Sequence, residues 1–386
     1  MSAELTLHSR RIVTPGGLVE GNLAVEDGVI AGLTVAAQPG AGALDVGDAW
    51  VIPGLIDTHV HGAVGFNFME AGTDDLKQIL AYHARHGTTG LLATTGAASD
   101  AATEEAIAHL VGFIKDDNDG GSAVIGLHLE GPFLAQARRG AQDPAHIQDP
   151  DLDKMERWLT LGDGLIRMVT LAPERPGAVE MIRRLTAAGV CAAAGHTDAT
   201  YEEMQQAAQA GLGHTIHTFN GMRGLHHREP GVVGAALDLP GLTSEVIADG
   251  FHVHPAVIRL LFRAKGPDGM TLVTDAVDPA GLDDGVHRWQ GRFVRVSEGK
   301  VELADGSSLA GSTLTMIAAV RNVMRFCGID LPTAVHMASL GPARLLGLND
   351  RLGSLEPGKD ADLVVLDPSL EVQATMVKGR FVYQRS

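Results

Sequence analysis

Asp57-Thr58-His59-Val60-His61 follows directly on the apolar run Val51-Ile52-Pro53-Gly54-Leu55-Ile56. On an extended strand, residues two apart leave the backbone on the same side, so His59 and His61 can grip one cation through their imidazole nitrogens. Two alternating histidines could equally line the polar face of a half-buried strand, and the weight comes from groups further along. Glu130 closes the segment Val124-Ile125-Gly126-Leu127-His128-Leu129, His196 closes Val190-Cys191-Ala192-Ala193-Ala194-Gly195, and His217 ends His214-Thr215-Ile216. The Glu130 carboxylate can bind one ion or bridge two. Together these residues point to a centre for one or two divalent ions. Asp275, in Leu272-Val273-Thr274-Asp275-Ala276, is the candidate acid/base. Hydrolysis needs a group to take the proton of a water whose pKa a divalent ion lowers from about 15.7 to about 7. The same carboxyl can then return that proton to a leaving nitrogen.

Such groups need a frame that brings distant positions together. Eight short apolar runs occupy residues 55–60, 89–94, 124–130, 166–172, 190–196, 214–219, 244–249 and 271–275. Longer amphipathic stretches at 74–86, 101–115, 177–188, 201–210, 255–265 and 312–327 read as intervening helices. Eight β/α alternations predict a (β/α)8 TIM barrel, an α/β fold. An open doubly wound sheet is disfavoured because no Gly-x-Gly-x-x-Gly follows the first strand. The polar residues also gather at the C-terminal strand ends, where barrel sites form.

The flanks have a different texture. Short β-type runs separated by Pro15-Gly16-Gly17 and Glu26-Asp27-Gly28 precede the barrel, and similar runs such as Leu363-Val364-Val365-Leu366 follow it. The expected organisation is a small β-sandwich domain from residues 1–53 and 350–386 around a barrel of residues 54–349.

With 386 residues, 45% of them hydrophobic, the chain can bury a substantial core. Its formal net charge of −17, with no Lys/Arg run, argues against nucleic acid or an anionic membrane as partner. Cys191 and Cys327 lie too far apart in sequence for a Cys-x-x-Cys motif, and neither a disulfide framework nor a thiolate knuckle is indicated. No signal-type or membrane-length apolar run is present, so a cytoplasmic protein is expected.

The motifs, in order, are Pro53-Gly54-Leu55-Ile56-Asp57-Thr58-His59-Val60-His61-Gly62, His128-Leu129-Glu130-Gly131-Pro132-Phe133, Ala194-Gly195-His196-Thr197 and His217-Thr218-Phe219-Asn220-Gly221-Met222. Arg228-Glu229-Pro230-Gly231, Ala248-Asp249-Gly250-Phe251-His252, Val273-Thr274-Asp275-Ala276 and Leu309-Ala310-Gly311-Ser312 complete the set. This series resembles the amidohydrolase superfamily, and within it the N-acetylglucosamine-6-phosphate deacetylases, over almost the whole chain. The resemblance implies loss of acetate from the amino group of a sugar phosphate. It implies that Glu130, His196 and His217 hold the metal present throughout the family, with Asp275 as acid/base. Retention of both His59 and His61 implies room for a second ion; zinc comes first among zinc, iron, manganese and cobalt. Many related hydrolases bridge two metals with a carboxylated lysine after the fourth strand. Here residues 166–172 contain no lysine, which leaves Glu130 as the substitute.

A chain this acidic must concentrate positive groups to bind phosphate. Asn220 and Gly221 can offer amide donors at close approach, Arg228 a bidentate guanidinium, and His252 a further donor. The resemblance implies that these contact the sugar phosphate, with Arg228 reaching in from a neighbouring subunit of a homodimer. It also matches Ala141 and Gln142 to the sugar, and Leu309, Ala310 and Gly311 to the acetyl end. Some relatives have histidine where Gln142 stands; glutamine can donate a hydrogen bond to a developing oxyanion but not a proton. The rival expectations are a related substrate such as N-acetylgalactosamine 6-phosphate, and a non-catalytic barrel of the same family.

Overall fold

The computed structural model describes residues 5–116, 120–289 and 291–385; residues 1–4 and 386, at the outer ends of the expected small domain, lie outside them. Five strands open the chain: β1 (Leu5–Thr14), β2 (Gly17–Glu26), β3 (Val29–Val35), β4 (Leu44–Asp45) and β5 (Trp50–Pro53). There follow β6 (Leu55–Val60), the hairpin strands β7 (Gly62–Ala63) and β8 (Phe66–Asn67), α1 (Thr73–Arg85), β9 (Thr88–Thr95), α2 (Asp100–Lys115) and β10 (Ala123–Glu130). Next come α3 (Leu152–Gly162), β11 (Ile166–Leu171), α4 (Ala178–Ala187), β12 (Cys191–Ala194), α5 (Tyr201–Ala210) and β13 (His214–Thr215). After these lie α6 (Gly231–Asp238), β14 (Thr243–Ile247), α7 (Pro255–Lys265) and β15 (Met270–Val273). The chain ends with β16 (Gly285–Trp289), β17 (Arg292–Ser297), β18 (Lys300–Leu303), α8 (Met316–Cys327), α9 (Leu331–Ala338), α10 (Leu340–Leu345), β19 (Leu363–Leu366), β20 (Val372–Val377) and β21 (Arg380–Gln384).

Eight parallel strands, in the order β6-β9-β10-β11-β12-β13-β14-β15, form the barrel wall. Closure comes from the first and last strands: Val60 bridges Ala276, the Asp275 N–H donates to His59 O at 2.8 Å, and the His61 N–H donates to Ala276 O at 2.8 Å. Period-2 alternation divides each strand between two cores. Leu92, Met168, Ala193 and Ile216 point into the barrel, whereas Leu91, Ala93, Val169, Ala192 and Ala194 meet the helical layer. The alanines of β12 leave room at the barrel mouth beside His196. The helices follow local rules. Thr200 and Glu203 close a capping box at the start of α5, and Gly211 ends it in the left-handed region (φ 114°). An alanine there would be strained and would press against Thr186 Oγ1.

Both chain ends share one sheet of order β21-β20-β19-β5-β1-β2-β3, with β4 beside β1. Its alternation again gives two faces. Leu7, Ile12, Leu23, Val51, Leu363 and Met376 build the sheet's own core; Val13, Ile52, Val364 and Leu366 pack on the barrel side with α8 and α9. The sheet rolls over so that the β2–β3 turn meets the segment before β19, with the Ile30 N–H donating to Lys359 O at 2.8 Å and the Ala361 N–H to Gly28 O at 2.9 Å. The expected sandwich is therefore one continuous, folded-over sheet.

Three features go beyond the sequence reading. The last expected helix starts at Met316, not at residue 312. Helices α3, α6, α9 and α10, and the antiparallel meander β16–β18, have no counterpart in it. The runs at 190–196 and 214–219 stop being strand before their histidines. Among the described residues no helix is long and apolar enough to cross a membrane.

Candidate metal centre and active site

The barrel brings together residues from β6, β10 and the ends of β12, β13 and β15. Glu130 Oε1 lies 3.0 Å from His196 Nε2 and 3.1 Å from His217 Nε2, and the two nitrogens are 3.2 Å apart. His61 Nε2 lies 3.4 Å from Glu130 Oε2 and 3.3 Å from Asp275 Oδ1. His59 Nε2 lies 3.5 Å from Glu130 Oε1 and 3.7 Å from Asp275 Oδ1. Two donor groups result, Glu130/His196/His217 and His59/His61/Asp275, each with its donor atoms within 4.8 Å of one another. The two oxygens of Glu130 face both groups.

Three of these residues sit just past a strand in the left-handed region: His196 at φ 46°, His217 at φ 25° and Asp275 at φ 49°. Non-glycine residues held there cost on the order of 1–3 kcal/mol each, and such strain collects at functional sites. The turn swings each side chain off the wall and over the barrel mouth. Gly221 (φ 59°) allows the neighbouring loop to close in, since a Cβ there would come within 2.9 Å of His196 Nδ1.

The donor chemistry fits a cation. His196 Nδ1 lies 2.9 Å from Arg138 O and His217 Nδ1 3.1 Å from Asn220 O, so both Nδ1 atoms must be N–H donors. In the neutral rings the facing Nε2 atoms then carry lone pairs aimed at a carboxylate oxygen, an arrangement that asks for a positive ion between them. His59 repeats the logic. Its Nδ1 is 2.6 Å from Glu245 Oε1, and its buried Nε2 has no hydrogen-bond partner among the described residues. Burial opposes charge on Glu130, but the imidazoles of His59, His196 and His217 outweigh it and hold the carboxyl well below the ordinary range. Burial likewise opposes charge on Asp275, and His59 and His61 hold its carboxyl down.

A cavity of about 310 Å³ opens on this cluster. Of the residues singled out from the sequence for substrate contact, Ala141, Gln142, Asn220, Gly221, His252, Leu309 and Gly311 line it. Ala310 is fully buried behind them against Val277 and Trp289. Gln142 is held tightly: its Nε2 donates to Glu130 Oε2 at 2.5 Å and its Oε1 accepts the Ala97 N–H at 2.8 Å. Asp249 Oδ2 anchors His252 Nδ1 at 2.6 Å. Arg228 differs: it is exposed on the 223–230 loop, 2.8 Å from His227 Nε2, and does not line its own chain's cavity. His128 is buried against Thr170 Oγ1 at 2.8 Å and belongs to neither donor group.

Three residues that the sequence reading passed over also meet the site. Glu245 on β14 is fully buried beneath His59. Trp289 and Ser308, from the meander and the loop after it, line the cavity with a buried indole N–H and hydroxyl that have no partner among the described residues.

The amidohydrolase family model matches residues 50–382. The chain belongs to the amidohydrolase family. N-acetylglucosamine-6-phosphate deacetylase of Vibrio furnissii is 40% identical over 359 residues, covering 93% of this chain and 89% of the relative. N-acetylgalactosamine-6-phosphate deacetylase of Escherichia coli O157:H7 is 38% identical over 376 residues, covering 97% and 98%. Among solved structures, a mutant N-acetyl-D-glucosamine-6-phosphate deacetylase of Mycobacterium smegmatis in complex with N-acetyl-D-glucosamine-6-phosphate superimposes with TM-score 0.94 at 36% identity. The match covers 99% of this chain and 100% of that one. As an amidohydrolase the chain is metal-dependent, which agrees with its two donor groups.

Proposed function

We propose that this amidohydrolase removes the acetyl group of N-acetylglucosamine 6-phosphate, giving glucosamine 6-phosphate and acetate. The observation that carries the reading is the convergence of His196 Nε2, His217 Nε2 and Glu130 Oε1 beside Asp275 in a cavity of about 310 Å³. That volume lies at the lower end for small-molecule sites and suits a monosaccharide.

In this reading Glu130, His196 and His217 hold one divalent ion, and His59 and His61, with Asp275 alongside, hold a second; zinc suits the nitrogen and oxygen donors. A bound ion lowers the pKa of water and polarises the acetyl carbonyl. Asp275 takes a proton from the attacking water as the new C–O bond forms. It then gives a proton to the amine nitrogen as the C–N bond breaks, so the water oxygen leaves in acetate. Gln142, tethered to Glu130, offers its remaining amide hydrogen to the carbonyl oxygen. Ala141 borders the sugar, and Leu309, Ala310 and Gly311 border the acetyl end.

Asn220, Gly221 and His252 take the phosphate. Among the described residues the cavity lining contains neither lysine nor arginine, so a phosphate dianion there calls for a cation from outside the subunit. The exposed Arg228 supplies it to a neighbouring copy in a homodimer.

The test is acetate release by the purified, metal-loaded chain from N-acetylglucosamine 6-phosphate, N-acetylgalactosamine 6-phosphate and unphosphorylated N-acetylglucosamine. The expected order places the glucosamine phosphate first and the unphosphorylated sugar last by a wide margin. A preference for the unphosphorylated sugar overturns the phosphate assignment. Faster turnover of the galactosamine phosphate would select the second reading, which the Escherichia coli O157:H7 relative favours.

A further inference from the structure

Glu245 lies outside both donor groups, yet it touches each of them. Its side chain is fully buried. Oε1 lies 2.6 Å from His59 Nδ1 and accepts the backbone N–H of His217 at 2.7 Å. Oε2 lies 3.3 Å from His214 Nε2, and the residue's own carbonyl accepts the Thr218 N–H at 2.9 Å. A single carboxylate thus grips the ring of one candidate ligand and the strained backbone of another, 158 positions apart in sequence. Burying a carboxylate without need is costly, and neither oxygen of this one faces the cavity lining.

We propose that Glu245 is a positioning residue that fixes His59 as its Nδ1–H tautomer and so turns the Nε2 lone pair into the His59/His61/Asp275 group. An imidazole whose Nδ1 lacked this acceptor could place its proton on Nε2, which would remove a donor from that group. The same Oε1 ties His217 in its left-handed turn, which makes Glu245 the link between the two halves of the centre. The inference rests on the reading of the site as a metal centre.

The experiment is titration of the metal-free protein with cobalt(II), following the visible absorption of the bound ion and the bound metal per chain after dialysis. The wild type is compared with Glu245→Gln and Glu245→Ala, and circular dichroism verifies the fold. The wild type is expected to bind two equivalents. Glutamine keeps an acceptor oxygen facing His59 and His217 but loses the charge, so the second equivalent should weaken about tenfold while the first changes little. Alanine removes the acceptor for both His59 Nδ1 and the His217 N–H, so the second equivalent should weaken further, with loss of its spectral signature, and the first should now weaken as well. Wild-type affinity for both equivalents in both variants overturns the proposal. So does an equal loss of both equivalents in Glu245→Gln, which would mark a merely structural residue, and so does a wild type with a single equivalent. A wild type that binds no ion at all would instead refute the metal reading itself.

Discussion

His196 and His217 bring their Nε2 atoms to 3.2 Å from one another, although each ring has already committed its Nδ1 proton to a main-chain carbonyl. Two lone pairs and a carboxylate oxygen cannot satisfy each other without a proton or a cation among them. A ligand that binds only the folded state stabilises it by about 2.7 kcal/mol at a hundredfold excess over Kd. Dialysis against a chelator should therefore lower the melting temperature by several degrees and abolish activity, and stoichiometric zinc should restore both. Scanning calorimetry with and without chelator checks this; an unchanged melting temperature would contradict it.

Asp275 faces the cavity with its Oδ1 3.3 Å from His61 Nε2, and its left-handed backbone aims it there. Asp275→Asn keeps the shape but cannot hold a proton in transit. Turnover should fall by roughly 10²–10⁴-fold, while the ion at Glu130, His196 and His217 stays bound. Single-turnover kinetics alongside metal analysis separates the two effects; normal turnover would remove Asp275 from its role.

Gln142 presents a different kind of dependence. Because its amide spans Glu130 Oε2 and the Ala97 N–H, it supports the Glu130 carboxylate as well as lining the cavity. Gln142→Ala should reduce metal affinity about 10–100-fold in addition to lowering kcat. A variant that loses kcat at full metal affinity would confine Gln142 to the carbonyl.

The eight apolar runs lie within a few residues of the eight barrel strands, because a wall buried on both faces needs continuous apolar sequence. The donors at the strand ends were legible for the same reason: Glu130 and Asp275 interrupt sequence that is otherwise apolar. Glu245 was not legible. It sits inside such a run and finds His59 across 186 positions, a pairing that only barrel closure creates. The meander was missed because its strands are only four to six residues long: Val294, Val296, Val301 and Leu303 alternate inward, but the exposed apolar Val286 and Phe293 break the pattern in the sequence. Trp289 and Ser308 went unread with it.

Away from the site, His83 on α1 is buried with its Nε2 3.4 Å from Gly62 O. Burial, then the charge of nearby His86, pushes its pKa from 6.5 down to about 4. Between those values the unfolded chain binds a proton that the folded chain does not, so the stability gained from His83 is complete above pH 6.5 and is lost as pH falls towards 4. Asp362, pushed up to about 7 mainly by burial, acts in the opposite sense: its contribution declines as pH rises from 3.8 to 7. A variant comparison isolates the histidine. The stability difference between wild type and His83→Gln should shift by roughly 3 kcal/mol against the wild type between pH 6.5 and 4. Denaturant unfolding at several pH values measures it, and parallel curves would show that His83 does not titrate on unfolding.

Trp289 closes the cavity from the meander, its ring packed with Val277, Val294 and Ala310 and its indole N–H buried without a partner among the described residues. An unpaired buried donor costs about 1–3 kcal/mol, a cost that a sugar oxygen arriving at Nε1 would relieve. A contact to a sugar oxygen, as distinct from the reacting carbonyl, is made equally in the ground and transition states. Trp289→Phe keeps an aromatic wall and deletes only the donor, so KM should rise about tenfold with kcat nearly unchanged. Steady-state kinetics on the phosphorylated sugar tests this. A fall in kcat at constant KM would mean that the indole acts on the reacting group instead.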